Sequence, residues 1–452
     1  MMYFAVVGLF DSLLDVPRLG WLFYLLLMVT LTLRGKTREA PATRQTGDAQ
    51  VRQPARAARA AAGLAWLAVA CGIVFHPVHA LAGQADQVQQ IIRVGPSRAI
   101  KTIAEASYKA RDGAIIEVDS GEYRADVAVW TQDRITVHAV GGRVKLVAAG
   151  AAAEAKAIWV VRAGQMWVDG FDFAGARVPD RNGAGIRFER GFLQVRNCTF
   201  TDNENGILTR DQFDAVLEIE NSEFGHNGYG DGQSHNIYVG AIGRLAVSGS
   251  YFHHAKVGHL LKSRAAVNQI FYNRLTDGPG GRASYELEFP SGGLAYVVGN
   301  IIEQGVQTEN PHMVSYGAEG YKWAKNELYL VNNTLIDNRP QGGIFLRVLP
   351  GSGAVKAVNN LLVGPGNLAS AGPGDYRNNF TVGPDEFAQA AGDDYRLKRG
   401  SGMAGRAIDP GTANGVNLRP AAEYVHRAST QALTGALHNP GALQSMPPSA
   451  AP

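Results

Sequence analysis

The segment GHLLKSRA, residues 258–265, sets Lys262 and Arg264 two positions apart, and YELEF, residues 285–289, does the same with Glu286 and Glu288. On a β-strand that spacing places each pair on one face. Upstream, SHNIYVG (234–240) adds His235, Asn236 and Tyr238, and downstream Tyr316 closes the strand HMVSYG. These residue types suit abstraction of a proton α to a carboxylate. Such a reaction needs a base, a cation to neutralise the carboxylate, and an acid for the leaving oxygen or the opposite face. Lys262 is the candidate base, helped by the charge of Arg264 and opposed by Glu288. Arg264, permanently charged and fork-shaped, is the candidate carboxylate holder. Tyr238, His235 or Tyr316 would donate the proton. Asn236, Glu286 and Glu288 offer oxygen ligands suited to Ca²⁺. Glycoside hydrolysis stays open as an alternative, because Glu286 and Glu288 would stand roughly 6–7 Å apart on one face. Asp231 is a further acidic candidate, whereas Asp202 and Asp214 read as turn residues.

A blander reading competes with all of these. Opposite charges on neighbouring strands stabilise a sheet by roughly 0.2–1 kcal/mol per pair without any chemistry. Three features favour a site. Other outward strands, GIFLRV (343–348) and HMVSYG (312–317), carry one charge and none. His235, Tyr238, His259, Tyr285, His312 and Tyr316 crowd into the same stretch. Long glycine-rich loops, GHNGYGDGQSH (225–235) and TDGPGGRAS (276–284), flank it and are expected to wall a groove. Other chemistries lack their motifs: there is no C-x-x-C, H-E-x-x-H, P-loop or G-x-S-x-G. His253-His254 sits on a turn with no third ligand in view, so no metal site is expected there.

The elements that must carry these residues are repeats. Matching third strands align Ile207, Ile237, Leu261, Leu287, Val314 and Ile344, at steps of 30, 24, 26, 27 and 30 residues. A step of about two dozen residues with three short strands fits one coil of a parallel β-solenoid, whose stacked coils build one continuous core. Ile237/Val239, Leu261/Ser263 and Leu287/Phe289 form the inward set. Tyr238, Lys262 and Glu288 then form one outward column, and Asn236, Leu260 and Glu286 a second. Asn197, Asn221, Asn273, Asn300, Asn333 and Asn360 mark a corner, where asparagine tolerates left-handed backbone and stacks as a ladder.

Over residues 90–400 this pattern resembles the right-handed parallel β-helix superfamily of pectate-lyase-like proteins. VGPSRAIKTIAEASYKARDGAIIEVDSGEYRADVAVW (94–130) is similar to that family's entry, with a capping helix at 99–111 and a turn at SGEY, and DDYRLKRGSGMAGRAIDPG (393–411) is similar to its exit. The resemblance implies an all-β solenoid and leaves the reaction open. The combination of Lys, Arg, E-x-E and Asn is similar to alginate- and chondroitin-type β-helix lyases, which place calcium beside a Lys base. In those the Lys follows the E-x-E on the same coil, whereas Lys262 precedes Glu286 by a coil. The DPHD-type signature of β-helix mannuronan epimerases is absent. Beyond 411 the Ala-, Pro- and Gly-rich chain reads as a loose tail with a short helix at 420–436.

Charged residues make up 18% of the chain and glycine 54 of its 452 residues, which suits an all-β protein with many tight turns. The net charge of +3 comes from the N-terminal region, because residues 34–60 hold seven basic and two acidic side chains and the body from 83 onward carries about −1. That balance gives no basic excess to point to nucleic acid, and the Lys262/Arg264/Glu286/Glu288 cluster makes an acidic polysaccharide the expected partner. Residues 52–84 read as a secretory signal ending at Ala80-Leu81-Ala82. The apolar segment 19–33 is short for a membrane span. The stretch 1–50 then reads as a misassigned start or an anchor, with the former preferred. Either way the body is expected outside the cytoplasm, in the periplasm or beyond the cell. Of the two cysteines, Cys71 and Cys198, the first lies in the removable segment, so no intramolecular disulfide is expected.

Overall fold

Each coil is made of short strands with alternating burial, and the alternation decides the architecture. In the computed structural model, which describes residues 89–308, 310–368 and 372–447, the chain winds as an all-β, right-handed parallel solenoid. The apolar segments expected at 19–33 and 52–84 lie outside the described residues. One short helix, Ile103–Lys109, shorter than the 99–111 expected, packs Ile103 and Ala106 into the core. Thr102 caps it, its hydroxyl accepting from the Glu105 N–H at 3.1 Å.

One face is a nine-stranded parallel sheet running from Ala128–Trp130 to Ile344–Val348. The other strands of the solenoid form a twenty-stranded sheet that bends around it. Ile237, Val239, Leu261, Ser263, Leu287 and Phe289 are all fully buried, as the alternation predicts. Phe173, Phe200, Phe224 and Phe252 stack down the interior with ring centroids 4.9, 4.6 and 4.8 Å apart and planes nearly parallel. Coil spacing sets that distance: paired strands are stacked at about 4.8 Å, so identical side chains at one register must stack too.

The corner ladder is real over Asn273, Asn300, Asn333 and Asn360, each amide Nδ2 donating to the Oδ1 of the next residue at 3.0 Å, and it ends on Asn379 at 2.8 Å. Asn197 and Asn221 are not rungs. They take the left-handed position one residue earlier, at φ +49° and +48°, and Cys198, Ser222 and Ser250 continue the ladder in their place. The expected alignment of third strands also holds except at its end. Val314 pairs with Leu346, and Ile344 pairs with His312. A two-residue slip keeps every side chain on its face, so alternation alone does not detect it.

Residues 411–447 are not a loose tail, and 420–436 is not helical. Thr412–Ala413 pairs with Val416–Asn417, and Ala422–Val425 pairs with Ser429–Ala432, as antiparallel hairpins. Leu418 is buried against Tyr296 and Tyr329, and Tyr424 joins Ile301 and Leu361. The Ala442 N–H donates to Thr334 Oγ1 at 3.0 Å. Packing on the outer face of the solenoid overrides the helix-permissive composition.

Candidate functional site

The column predicted for Tyr238, Lys262 and Glu288 is present. Tyr238 pairs with Lys262 and Lys262 with Glu288, so the three side chains stack outward on successive coils. The same column continues to Leu208 and Arg187 on one side and to Ser315 and Arg347 on the other.

The second predicted column is turned inward. Asn236, Leu260 and Glu286 are fully buried. They precede the strands Ile237–Val239, Leu261–Ser263 and Leu287–Phe289, at the point where the chain rounds a corner. A bend there breaks the two-residue alternation that a continuous strand would give. Their place beside the outward column is taken by His235, His259 and Tyr285, whose rings follow one another at 4.4 and 4.8 Å.

Several expected roles change with that bend. Asn236 Oδ1 accepts from Asn227 Nδ2 at 2.9 Å, and its amide donates to the His253 carbonyl at 2.8 Å, ending an internal ladder from Asn203. Glu286 faces the interior beside Gln304, and its neighbours Asp277 and Asp337 add to the burial that drives its pKa well above the ordinary carboxylate value. Asn236 and Glu286 are therefore directed into the solenoid while Glu288 is directed out, and the three do not converge on a cation. The Glu286/Glu288 pair likewise cannot flank one glycosidic bond. Tyr316 is fully buried, its hydroxyl donating to the Gly293 carbonyl at 2.5 Å, so it serves the core.

The outward residues form one connected polar network. Lys262 Nζ lies 3.5 Å from Glu288 Oε2 and 3.8 Å from Glu319 Oε1. Arg264 grips Glu319 with both arms, at 2.7 and 2.6 Å, and its third nitrogen donates to Tyr238 Oη at 2.6 Å. The guanidinium also sits 5.0 Å from the Tyr238 ring centroid, a cation–π distance. His259 Nε2 is 2.8 Å from Glu288 Oε2. Burial works against the charge of Glu288, yet the hydrogen bond from His259 and the charge of Lys262 hold its carboxyl below the usual range. Hydrogen bonds from Arg264 do the same for Glu319.

His235 lies stacked on Tyr238, ring centroids 5.2 Å apart and planes within 5°. Its Nδ1 accepts the backbone N–H of His259 at 2.9 Å, which leaves the proton of a neutral ring on Nε2. Burial, with His259, Lys262 and Arg264 close by, lowers its pKa well below the ordinary histidine value. The imidazole is thus a neutral donor near pH 7.

His235, Tyr238, Lys262, Arg264 and Glu319 line a cleft of about 570 Å³. The loop 225–235 forms one wall through Asp231, Gly232 and Gln233, and Asp180–Asn182 belong to the same lining. The loop 276–284, also expected as a wall, instead lines a neighbouring cleft through Gly280, Gly281 and Arg282. Four cations (Arg181, Arg187, Lys262, Arg264) meet three carboxylates (Asp180, Asp231, Glu319) around the Lys262 cleft.

Sequence reasoning missed Arg187, His259 as the partner of Glu288, and Glu319. Arg187 has a signal in hindsight: GIRFER (185–190) is one more outward strand, a coil before the repeats first align. Its Nε is buried without a hydrogen-bond partner. Glu319 gives no such signal, because it reaches Arg264 across 55 residues from an irregular segment.

Comparison with known proteins agrees with this architecture. Residues 182–366 match the family model described as a right handed beta helix region. A crystal structure of pectate lyase Pel9A superposes with a TM-score of 0.55 at 12% identity, covering 79% of this chain and 96% of that one. No curated protein matches the sequence. Coil register, corner ladder and outward charged column lead to one conclusion: this chain is a right-handed parallel β-helix protein with a pectate-lyase-like fold.

Proposed function

We propose that this protein is an exported carbohydrate-active β-helix protein that binds an acidic, uronate-containing polysaccharide and acts on it by proton abstraction, as a lyase or a C5-epimerase. The observation that carries this reading is the contact of Arg264 with Tyr238 Oη at 2.6 Å, with Lys262 and the neutral His235 on either side in one cleft. Lys262 is engaged by two carboxylates, so it serves better as a cation facing the substrate carboxylate than as the base first expected. Arg264 shares that task, and its exposed partner Glu319 can yield to a substrate carboxylate of the same charge. Neutralising the carboxylate stabilises the enolate-like charge that develops when the α-proton leaves. Tyr238 Oη is the candidate base, because the charge of Arg264 lies where a phenolate would form. His235 Nε2–H is the candidate donor to the leaving oxygen or the opposite face.

The test is incubation of the full chain with a panel of uronate polymers, with and without EDTA. A lyase gives ultraviolet-absorbing unsaturated ends, and an epimerase changes the NMR signature without cutting the chain. New reducing ends without unsaturation would overturn proton abstraction and favour hydrolysis. Saturable binding with none of these products would leave a glycan-binding surface, a reading favoured by the internal pairing of Lys262 and Arg264 with Glu288 and Glu319.

A further inference from the structure

We propose that His226, His253 and His254 form a binding site for Zn²⁺, or a similar divalent transition metal that prefers imidazole, with one coordination position open to a cleft of about 400 Å³. The sequence shows His253-His254 without a third ligand, and the coil stacking supplies it. Strand Glu223–Gly225 pairs with Tyr251–His253 so that Gly225 stands opposite His253. The residues that follow, His226 and His254, therefore meet at the corner, both with left-handed backbone at φ +58° and +46° and with ring centroids 4.9 Å apart. One candidate ligand nitrogen from each of the three rings lies within 4.8 Å of the others.

The surroundings of these rings are those of metal ligands. His253 Nε2 is 3.1 Å from Glu223 Oε1, and His254 Nε2 is 3.3 Å from the Pro279 carbonyl oxygen. Arg427, from the C-terminal hairpin, grips the same Glu223 carboxylate and holds it in place. A carboxylate or carbonyl on the far nitrogen is the usual outer support of a metal-bound histidine. Both partners accept only, so each Nε2 carries a proton and the two Nδ1 atoms are turned toward each other. Those two Nδ1 atoms face each other at 2.9 Å. Two ring nitrogens at that distance are satisfied by one shared proton or by a metal ion bound between them. Two imidazoles on one tetrahedral zinc, with bonds of ~2.0–2.1 Å, stand roughly 3.3 Å apart, so the observed pair is close to that geometry. His226 is exposed and can swing to complete the set.

The ring of His253 also has a prepared seat. A Cβ on Gly225 would fall 2.2 Å from His253 Cε1, so the glycine is required for the ring to lie there. The open side of the cluster is lined by His226 and His254 together with Tyr229 and Lys256. Three imidazoles with an accessible fourth position are the ligand set that zinc and its neighbours take up.

The test uses the full chain, loaded with Zn²⁺, dialysed, and assayed for metal by mass spectrometry. The expected result is about one zinc per chain, falling at least tenfold in His226→Gln/His254→Gln and unchanged in His138→Gln, on another face. Cobalt in place of zinc should give intense visible bands of a four-coordinate site. If the double variant does not fold, the wild type still decides the matter: Zn²⁺ should protect His226, His253 and His254, and not His138, from diethyl pyrocarbonate. A wild type without bound metal, whose histidine pair merely shares a proton, would overturn the proposal. Zinc retained in the folded double variant, or no protection of the three rings, would overturn it equally.

Discussion

Along one outward column of the nine-stranded sheet, Val129 and Val160 stand at the N-terminal end, and Tyr238, Lys262 and Glu288 stand in the middle. The backbone and pairing are the same. At the first end, Val160 is fully buried in a small apolar cluster with Ala153, Ala157, Ala184 and Leu208. In the middle, the same position faces a polar cleft. A coil of this kind fixes direction and spacing but not chemistry. What packs on the face decides: Ala153 packs with the valines in one apolar cluster, whereas loop 225–235 walls the cleft beside the central coils.

The largest expected effect breaks the scaffold common to both regions. Phe224→Ala, in the interior stack, should cost about 3–5 kcal/mol in chemical denaturation, because the rings above and below cannot collapse into the gap. Val160→Ala, on the covered outward face, should cost less. An equal loss would show that the covered end is as much a core as the interior.

Next come the cations, where activity and stability should part. Given the proposed reaction, Lys262→Ala and Arg264→Ala should each lower turnover on the responsive uronate polymer by about 10²-fold or more, as expected for a group that stabilises developing charge. Melting should shift little for Arg264→Ala, whose partner Glu319 is exposed, and more for Lys262→Ala, which takes a cation from the buried Glu288. Activity that survives Arg264→Ala would remove it from the site.

Asn300→Ala in the corner ladder should cost about 1–3 kcal/mol, because it strips the buried Asn273 N–H and amide of their acceptor. Asn197→Ala, at an exposed left-handed corner, should cost less. A reversed order would refute the distinction between rungs and corner residues.

The last effect depends on pH and concerns the inward acid. Burial raises the Glu286 pKa well above its ordinary 4.5. The folded chain therefore keeps a proton that the unfolded chain releases, and the stability penalty appears as pH rises past the unfolded value. Glu286→Gln should match wild type at about pH 4 and gain on it steadily toward about pH 8 in denaturant titrations. A constant difference across that range would mean that Glu286 is not held protonated.

The sequence by itself determined the solenoid, the fully buried set Ile237, Leu261 and Leu287, and the column Tyr238–Lys262–Glu288. Each follows from a two-residue alternation repeated at a coil-length step, which is local information. Tertiary structure alone decided the rest. It turned Asn236 and Glu286 inward, because corners interrupt alternation and no residue type marks where the bend falls. Only the folded chain brought Glu319 to Arg264 and His226 to His253-His254. It also folded residues 411–447 against the solenoid. Glu319 and residues 411–447 meet segments whose separation in sequence carries no period, whereas His226 and His254 lie one coil apart and meet because successive corners stack.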